Sequence, residues 1–192
     1  MTSSSTSPSL RILGIGGSTR AGSRSLFVLN TALAVAAAGG AHSVLADVRA
    51  LDLPIYNEEW RVEDYPARLA WLLDEVRVAD AFLLCSPTYH GTLSGVVKNV
   101  LDALNYLEGD TPRFLGGKVV GLIGVGGGAA NVINSLGHAT RALNGLAAPT
   151  VVAVPSDAVD MQAGTLAAPV QRRLDALVTQ VLDLSHRLRM PV

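Results

Sequence analysis

Cysteine occurs once in the 192 residues, as Cys85. That excludes an internal disulfide and any cysteine-rich metal site. Charged residues make up only 16% of the chain and the formal net charge is −1, which leaves no electrostatic case for nucleic acid or for an anionic membrane surface. Long apolar runs are also missing. The stretch Ala32–Ala41 falls well short of the roughly 20 residues that a membrane helix needs. The opening MTSSSTSPS is polar and has no basic region followed by an apolar core. Residues 1–9 therefore read as a disordered lead-in rather than a secretory signal, and the chain is expected in the cytoplasm. No group of His, Asp and Glu has metal-ligand spacing. No G-x-S-x-G elbow is present, so a hydrolase triad is not expected.

What the chain does have is apolar content, 49%, enough for one domain with a sizeable core over residues 10–192. Five short apolar runs read as strands: Leu10–Ile15, Ser43–Val48, Ala81–Cys85, Lys118–Val125 and Thr150–Val154. They alternate with helical stretches at Ser25–Ala38, Tyr65–Val78, Val96–Leu107, Val132–Leu143 and Val170–Leu188. Strands with no polar alternation belong to a parallel sheet covered on both faces. The expected fold is therefore a flavodoxin-like, doubly wound, five-stranded sheet of order 2-1-3-4-5. In such sheets ligands bind beyond the carboxyl ends of the strands, at the point where the order reverses. Here that point lies between strands 1 and 3. It brings together GGSTRAGSRS after strand 1, SPTYHGTLSG (Ser86–Gly95) after strand 3 and GVGGGAAN after strand 4.

The first of these loops matches neither common phosphate fingerprint. Counted from Gly14, the third glycine of G-x-G-x-x-G falls on Thr19. Counted from Gly17, the ATP/GTP loop finds Gly22 but then Ser23 where a lysine is required. What remains is a loop of hydroxyls (Ser18, Thr19, Ser23, Ser25) with Arg20 and Arg24 at the start of a helix. Hydroxyls, helix-start N–H groups and a guanidinium suit a terminal phosphomonoester. The alternative is a surface turn with a good N-cap.

The set GGSTRAGS, LPIYNEE, SPTYHGTLSGVVKNVLDAL and GVGGG, in this order, resembles the NAD(P)H-dependent FMN reductase family over roughly Leu10 to Asp157. The pattern SPxYxGxxxGxxKNxxD between Ser86 and Asp102 is its strongest element. The resemblance implies FMN as cofactor, NADPH or NADH as co-substrate and a small-molecule electron acceptor. It implies that Ser18, Arg20, Ser23 and Ser25 hold the 5′-phosphate, with Arg24 at a place the family leaves free and Thr19 facing solvent. Pro87, Thr88, Tyr89, His90 and Gly91 are expected beside the isoalloxazine, with Tyr89 away from the phosphate. Gly126, Gly127 and Gly128 are expected to let backbone approach the ring. No catalytic side chain is expected, because hydride passes between the cofactors themselves. Cys85 reads as core, Lys98 and Asp102 as a helical pair, and Asn99 as a brace for a loop.

The resemblance also implies a homodimer or tetramer in which Tyr56, in LPIYNEE, approaches a flavin edge near the boundary between subunits. Some relatives hand reduced flavin to a partner monooxygenase, and some of those carry an extra tyrosine in the fourth helix. No tyrosine lies between Ala129 and Leu143, so FMN is expected to be retained. Two other readings stand beside this one. A flavodoxin-type electron carrier would be strongly acidic with a Thr-rich phosphate loop. A phosphate-sugar or nucleotide-binding module without flavin leaves SPTYHG unexplained.

Overall fold

The computed structural model describes residues 9–189. Apart from Ser9, the lead-in expected over residues 1–9 lies outside them. Strand β1 (Arg11–Gly16) is buried from Ile12 onward. Helix α1 (Arg24–Ala38) follows it, and the Leu26 N–H donates to the N-cap Ser23 Oγ at 3.2 Å. Strand β2 (His42–Asp47) runs into the short helix α2 (Val48–Leu51), whose Arg49 N–H donates to the N-cap Asp47 carboxylate. Helix α3 (Ala67–Val78) leads to β3 (Ala81–Tyr89). A two-residue strand β4 (Thr92–Leu93) then precedes α4 (Gly95–Ala103), which ends in a 3₁₀ turn at Leu104–Leu107. Strand β5 (Val119–Val125), helix α5 (Ala129–Ala142) and strand β6 (Leu146–Val154) follow. A small hairpin of β7 (Val159–Asp160) and β8 (Thr165–Leu166) leads into the last helix, α6 (Ala168–Arg189).

The five long strands are parallel in the order β2-β1-β3-β5-β6, which is the expected 2-1-3-4-5. One core packs α3, α4 and α5 on the sheet through Leu69, Leu72, Val97, Leu101, Val132 and Leu136. The other packs α1 and α6 through Val28, Leu29, Leu174, Leu177 and Val181. Burial on both faces accounts for the unbroken apolar strands. No helix among the described residues is long and apolar enough to cross a membrane.

Several elements depart from the sequence reading: α2 was not expected, and α5 starts three residues early, at Ala129. Strand β3 does not stop at Cys85 but continues through Ser86–Tyr89, and the expected loop Ser86–Gly95 is a hairpin with Tyr89 opposite Thr92. Strand β6 starts four residues early, at Leu146, with an irregularity before Val151. The connection between β6 and α6, where no strand was expected, contains the β7–β8 pair.

Candidate functional site

The carboxyl ends of β1, β3, β5 and β6 meet at one edge of the sheet. Gly16 lies opposite Cys85 in the register of β1 and β3, and the Gly17 N–H donates to the Cys85 carbonyl at 3.3 Å. This close approach sets the loop after β1 directly beside the extension of β3. Cys85 itself is core. It is fully buried, its thiol donates to the Ser25 carbonyl at 3.3 Å, and burial pushes its pKa up. A thiol of this kind is packing, not a nucleophile.

The loop after β1 folds its hydroxyls inward. Ser18, Ser23 and Ser25 are 2%, 7% and 1% exposed. Ser23 Oγ and Ser25 Oγ lie 3.3 Å apart, and Ser18 Oγ accepts the Arg20 N–H at 3.3 Å. These groups sit at the start of the 15-residue helix α1, whose first turn contains no acidic residue. Arg20 and Arg24 line the same space, and among the described residues neither guanidinium has a salt bridge or hydrogen-bond partner.

The β3–β4 hairpin supplies the facing wall. Its turn residues His90 and Gly91 both have positive φ, 48° and 83°, the backbone that a two-residue type I′ connection requires. Four contacts hold the hairpin. Ser94 N–H donates to Ser86 Oγ at 2.9 Å, Thr88 Oγ1 donates to the Val125 carbonyl at 3.0 Å, and Thr92 Oγ1 lies 2.8 Å from Ser135 Oγ on α5. The fourth is Tyr89, whose hydroxyl lies 3.1 Å from Ser18 Oγ.

Together these groups enclose a cavity of about 200 Å³ lined by Ser18, Arg20, Ser23, Arg24, Ser25, Pro87, Thr88, Tyr89, Val125, Gly126 and Ser156. It continues past Gly126 and Ser156 into a wider groove of about 600 Å³ floored by Gly126–Ala130, Ala153 and Pro155. Gly126 has φ +109° with Thr88 3.5 Å from where a Cβ would stand. Its N–H donates to the Val154 carbonyl at 2.8 Å. Gly128, at φ 79°, caps α5.

The sequence reading and the structure differ in particulars. Of the twelve candidate residues, Ser18, Arg20, Ser23, Ser25, Pro87, Thr88, Tyr89 and Gly126 line the cavity. Gly127 and Gly128 line the adjoining groove. His90 and Gly91 line neither and stand exposed in the hairpin turn. Tyr89, expected away from the phosphate loop, reaches it through its hydroxyl, because the continuing strand carries its side chain across the mouth. Thr19 turns the other way, into a separate hollow with Arg49 and Asp52. Arg24, at a place the resemblance leaves free, lines the cavity too, and Ser156 lines it without having been singled out. Ser156 follows β6, so the same rule of strand carboxyl ends could have nominated it. Asn99 braces the loop before it, accepting from Tyr56 N–H at 2.7 Å and donating to the Pro54 carbonyl at 2.9 Å. Lys98 and Asp102 pair at 2.5 Å.

The donor set fits a phosphomonoester. Each hydroxyl pair, Ser18–Tyr89 and Ser23–Ser25, has two protons and uses one internally, so each has one left to donate. Two free guanidiniums and a helix start add positive potential, and no carboxylate lines the cavity among the described residues.

The family model of NADPH-dependent FMN reductase matches residues 10–159. An NAD(P)H-dependent FMN reductase of Pseudomonas aeruginosa is 33% identical over 96 residues, covering 50% of each chain. An NADPH azoreductase of a Bacillus species is 36% identical over 123 residues, covering 64% of this chain and 65% of that protein. The chain thus spans about half to two thirds of the length of these curated relatives. Among solved structures, the flavoenzyme NAD(P)H:(acceptor) oxidoreductase FerB from Paracoccus denitrificans superposes with a TM-score of 0.74 at 20% identity, over 93% of this chain and 98% of that one.

Proposed function

The chain belongs to the NADPH-dependent FMN reductase family, and on that premise we propose that it is an FMN-dependent NAD(P)H oxidoreductase serving a small-molecule acceptor. The observation that carries this reading is the cavity that joins a dianion-fitting cradle to a groove floored by glycine and alanine. Ser18, Arg20, Ser23, Arg24 and Ser25 would hold the 5′-phosphate. Pro87, Thr88, Gly126, Gly127 and Gly128 would lie along the isoalloxazine, with His90 and Gly91 shaping the turn that carries that wall. When bound, FMN supplies the acceptance of hydride from the nicotinamide and its release to the acceptor. The protein's part is to bind, orient and exclude. No side-chain acid is needed for hydride transfer between the cofactors themselves. Backbone N–H groups of the hairpin and the glycine turn would offset negative charge on the reduced ring. The absence of a tyrosine on α5 supports retained cofactor. Reduced nicotinamide as co-substrate points to the cytoplasm.

The test is anaerobic reduction. The purified protein should carry or take up FMN. Its visible flavin absorption should bleach with NADPH or NADH under argon and return on adding a quinone or an azo compound. Bound flavin that no nicotinamide bleaches would leave a flavodoxin-type carrier. No flavin binding at all would end the reading.

A homodimer is part of the same proposal, supported by the loop before α3. Ile55 is 81% exposed, yet its loop is rigidly held. Asn99 braces one side. Tyr65 Oη accepts the Asn57 N–H at 2.7 Å, and Tyr106 Oη donates to the Trp60 carbonyl at 2.7 Å. The Tyr56, Tyr65 and Tyr106 rings meet edge to face at 5.5 and 5.8 Å. A large apolar side chain held out on a fixed loop suits a contact between copies. Ile55→Glu is expected to convert a dimer to monomer in analytical ultracentrifugation with an unchanged circular dichroism spectrum. A variant that sediments like the parent would remove Ile55 from the interface.

A further inference from the structure

Resting on the FMN reading above, we propose that Tyr89 is a specificity residue, selecting a flavin with a terminal 5′-phosphomonoester over riboflavin and over a dinucleotide. Three observations converge. The Tyr89 hydroxyl lies 3.1 Å from Ser18 Oγ, and Ser18 is 2% exposed at the base of the cradle. Tyr89 comes from the hairpin rather than from the loop after β1, so its hydroxyl joins the two walls of the cavity. The hairpin is anchored to β5 and α5 through Thr88 and Thr92, so the ring does not depend on the ligand for its position.

The consequence follows from counting donors. Ser18 Oγ already accepts the Arg20 N–H. Of the two protons in the Ser18–Tyr89 pair, one joins the two oxygens and the other is free for an anion. With the Ser23–Ser25 pair and the guanidiniums of Arg20 and Arg24, the cradle presents at least four donors. A terminal phosphate has three peripheral oxygens and is close to a dianion at neutral pH, so it can accept from all of them. The first phosphate of a dinucleotide has two peripheral oxygens and a single charge, so it meets fewer of these donors than a terminal phosphate does. Riboflavin has no group to meet the donors. Tyr89 is 48% exposed, so Tyr89→Phe keeps the ring and removes only the hydroxyl.

The experiment is a fluorescence titration of the full chain, freed of flavin, with FMN, riboflavin and FAD. Parent, Tyr89→Phe, Ser18→Ala, the double variant and Tyr89→Ala are compared, with thermal unfolding as the control for folding. Tyr89→Phe is expected to weaken FMN roughly tenfold and leave riboflavin unchanged. The double variant should lose less than the sum of the single losses, because the two hydroxyls act as a pair. Tyr89→Ala should narrow the preference for FMN over FAD. Unchanged FMN affinity in Tyr89→Phe, or equal losses for FMN and riboflavin, overturns the proposal while the FMN reading stands. Parent protein that binds no flavin overturns the reading itself.

Discussion

Replacing Arg20 by alanine is expected to weaken FMN binding by about one to two decades and to leave riboflavin binding unchanged. Arg20 lines the cavity with no side-chain partner among the described residues, so its removal exposes no buried counter-charge there and should not disturb the fold. A hydrogen bond to a charged group contributes roughly 1.5–3 kcal/mol, which is about one to two decades in dissociation constant. The hydroxyl pairs, Arg24 and the start of α1 remain, so binding weakens without vanishing. Because the guanidinium is solvent-exposed, added salt should shrink the difference between parent and variant. Lower pH should shrink it too. The second phosphate pKa is near 6, by analogy with phosphorylated side chains. The dianion is therefore the bound form above that value, and the extra attraction to Arg20 fades as the phosphate becomes a monoanion below it. Titrations of FMN and riboflavin at pH 7.5 and 5.5 measure both effects. Equal losses for the two flavins would indicate a damaged fold, and no loss for FMN would show that this loop is not the phosphate cradle.

The cradle was legible in the sequence because it is local. Ser18 to Ser25 form one strand-to-helix connection, and hydroxyls at a helix start carry their meaning in one short window. The hairpin was not, for reasons in its own residues. Pro87 lacks an N–H and in a sequence argues against a central strand. Here β1 has already ended at Gly16, opposite Cys85, so at Pro87 only β5 pairs with β3. The turn is His-Gly rather than Asn-Gly or Asp-Gly. Histidine at positive φ is uncommon, though enriched relative to most side chains, so the usual hairpin signal is weak. The Tyr89–Ser18 contact spans 71 positions, and no periodicity reports a contact of that kind. The order of the sheet, by contrast, was within reach of unbroken apolar strands separated by helices, because burial on both faces and right-handed crossovers leave few arrangements for five strands.

Gly16→Ala is expected to destabilise the fold by about 3 kcal/mol and, in the fraction that folds, to lower FMN affinity. A Cβ at position 16 would stand 2.1 Å from the Cys85 carbonyl oxygen and 2.9 Å from its carbon. Both are backbone atoms of the paired strand, so no rotamer change relieves the overlap and β1 and β3 must separate. Core insertions commonly cost 1–3 kcal/mol, and this one belongs at the upper end because the obstacle is main chain. The contrast with Gly14 makes the point. A Cβ there meets Leu33 Cδ1 at 2.8 Å, the far end of a side chain that can rotate, so Gly14→Ala should cost less. Gly95→Ala, with nothing within 4 Å of its Cβ and a place in the first turn of α4, is the neutral control. Separating β1 from β3 also lengthens the 3.3 Å bond from Gly17 N–H to the Cys85 carbonyl. That bond holds the hydroxyl loop against the hairpin, so Ser18 and Tyr89 would move apart and the cradle would open. Urea unfolding midpoints of the three variants, followed by FMN titration of each, test both halves. A Gly16→Ala protein that unfolds at the parent's midpoint would be incompatible with strands packed this closely at the switch point.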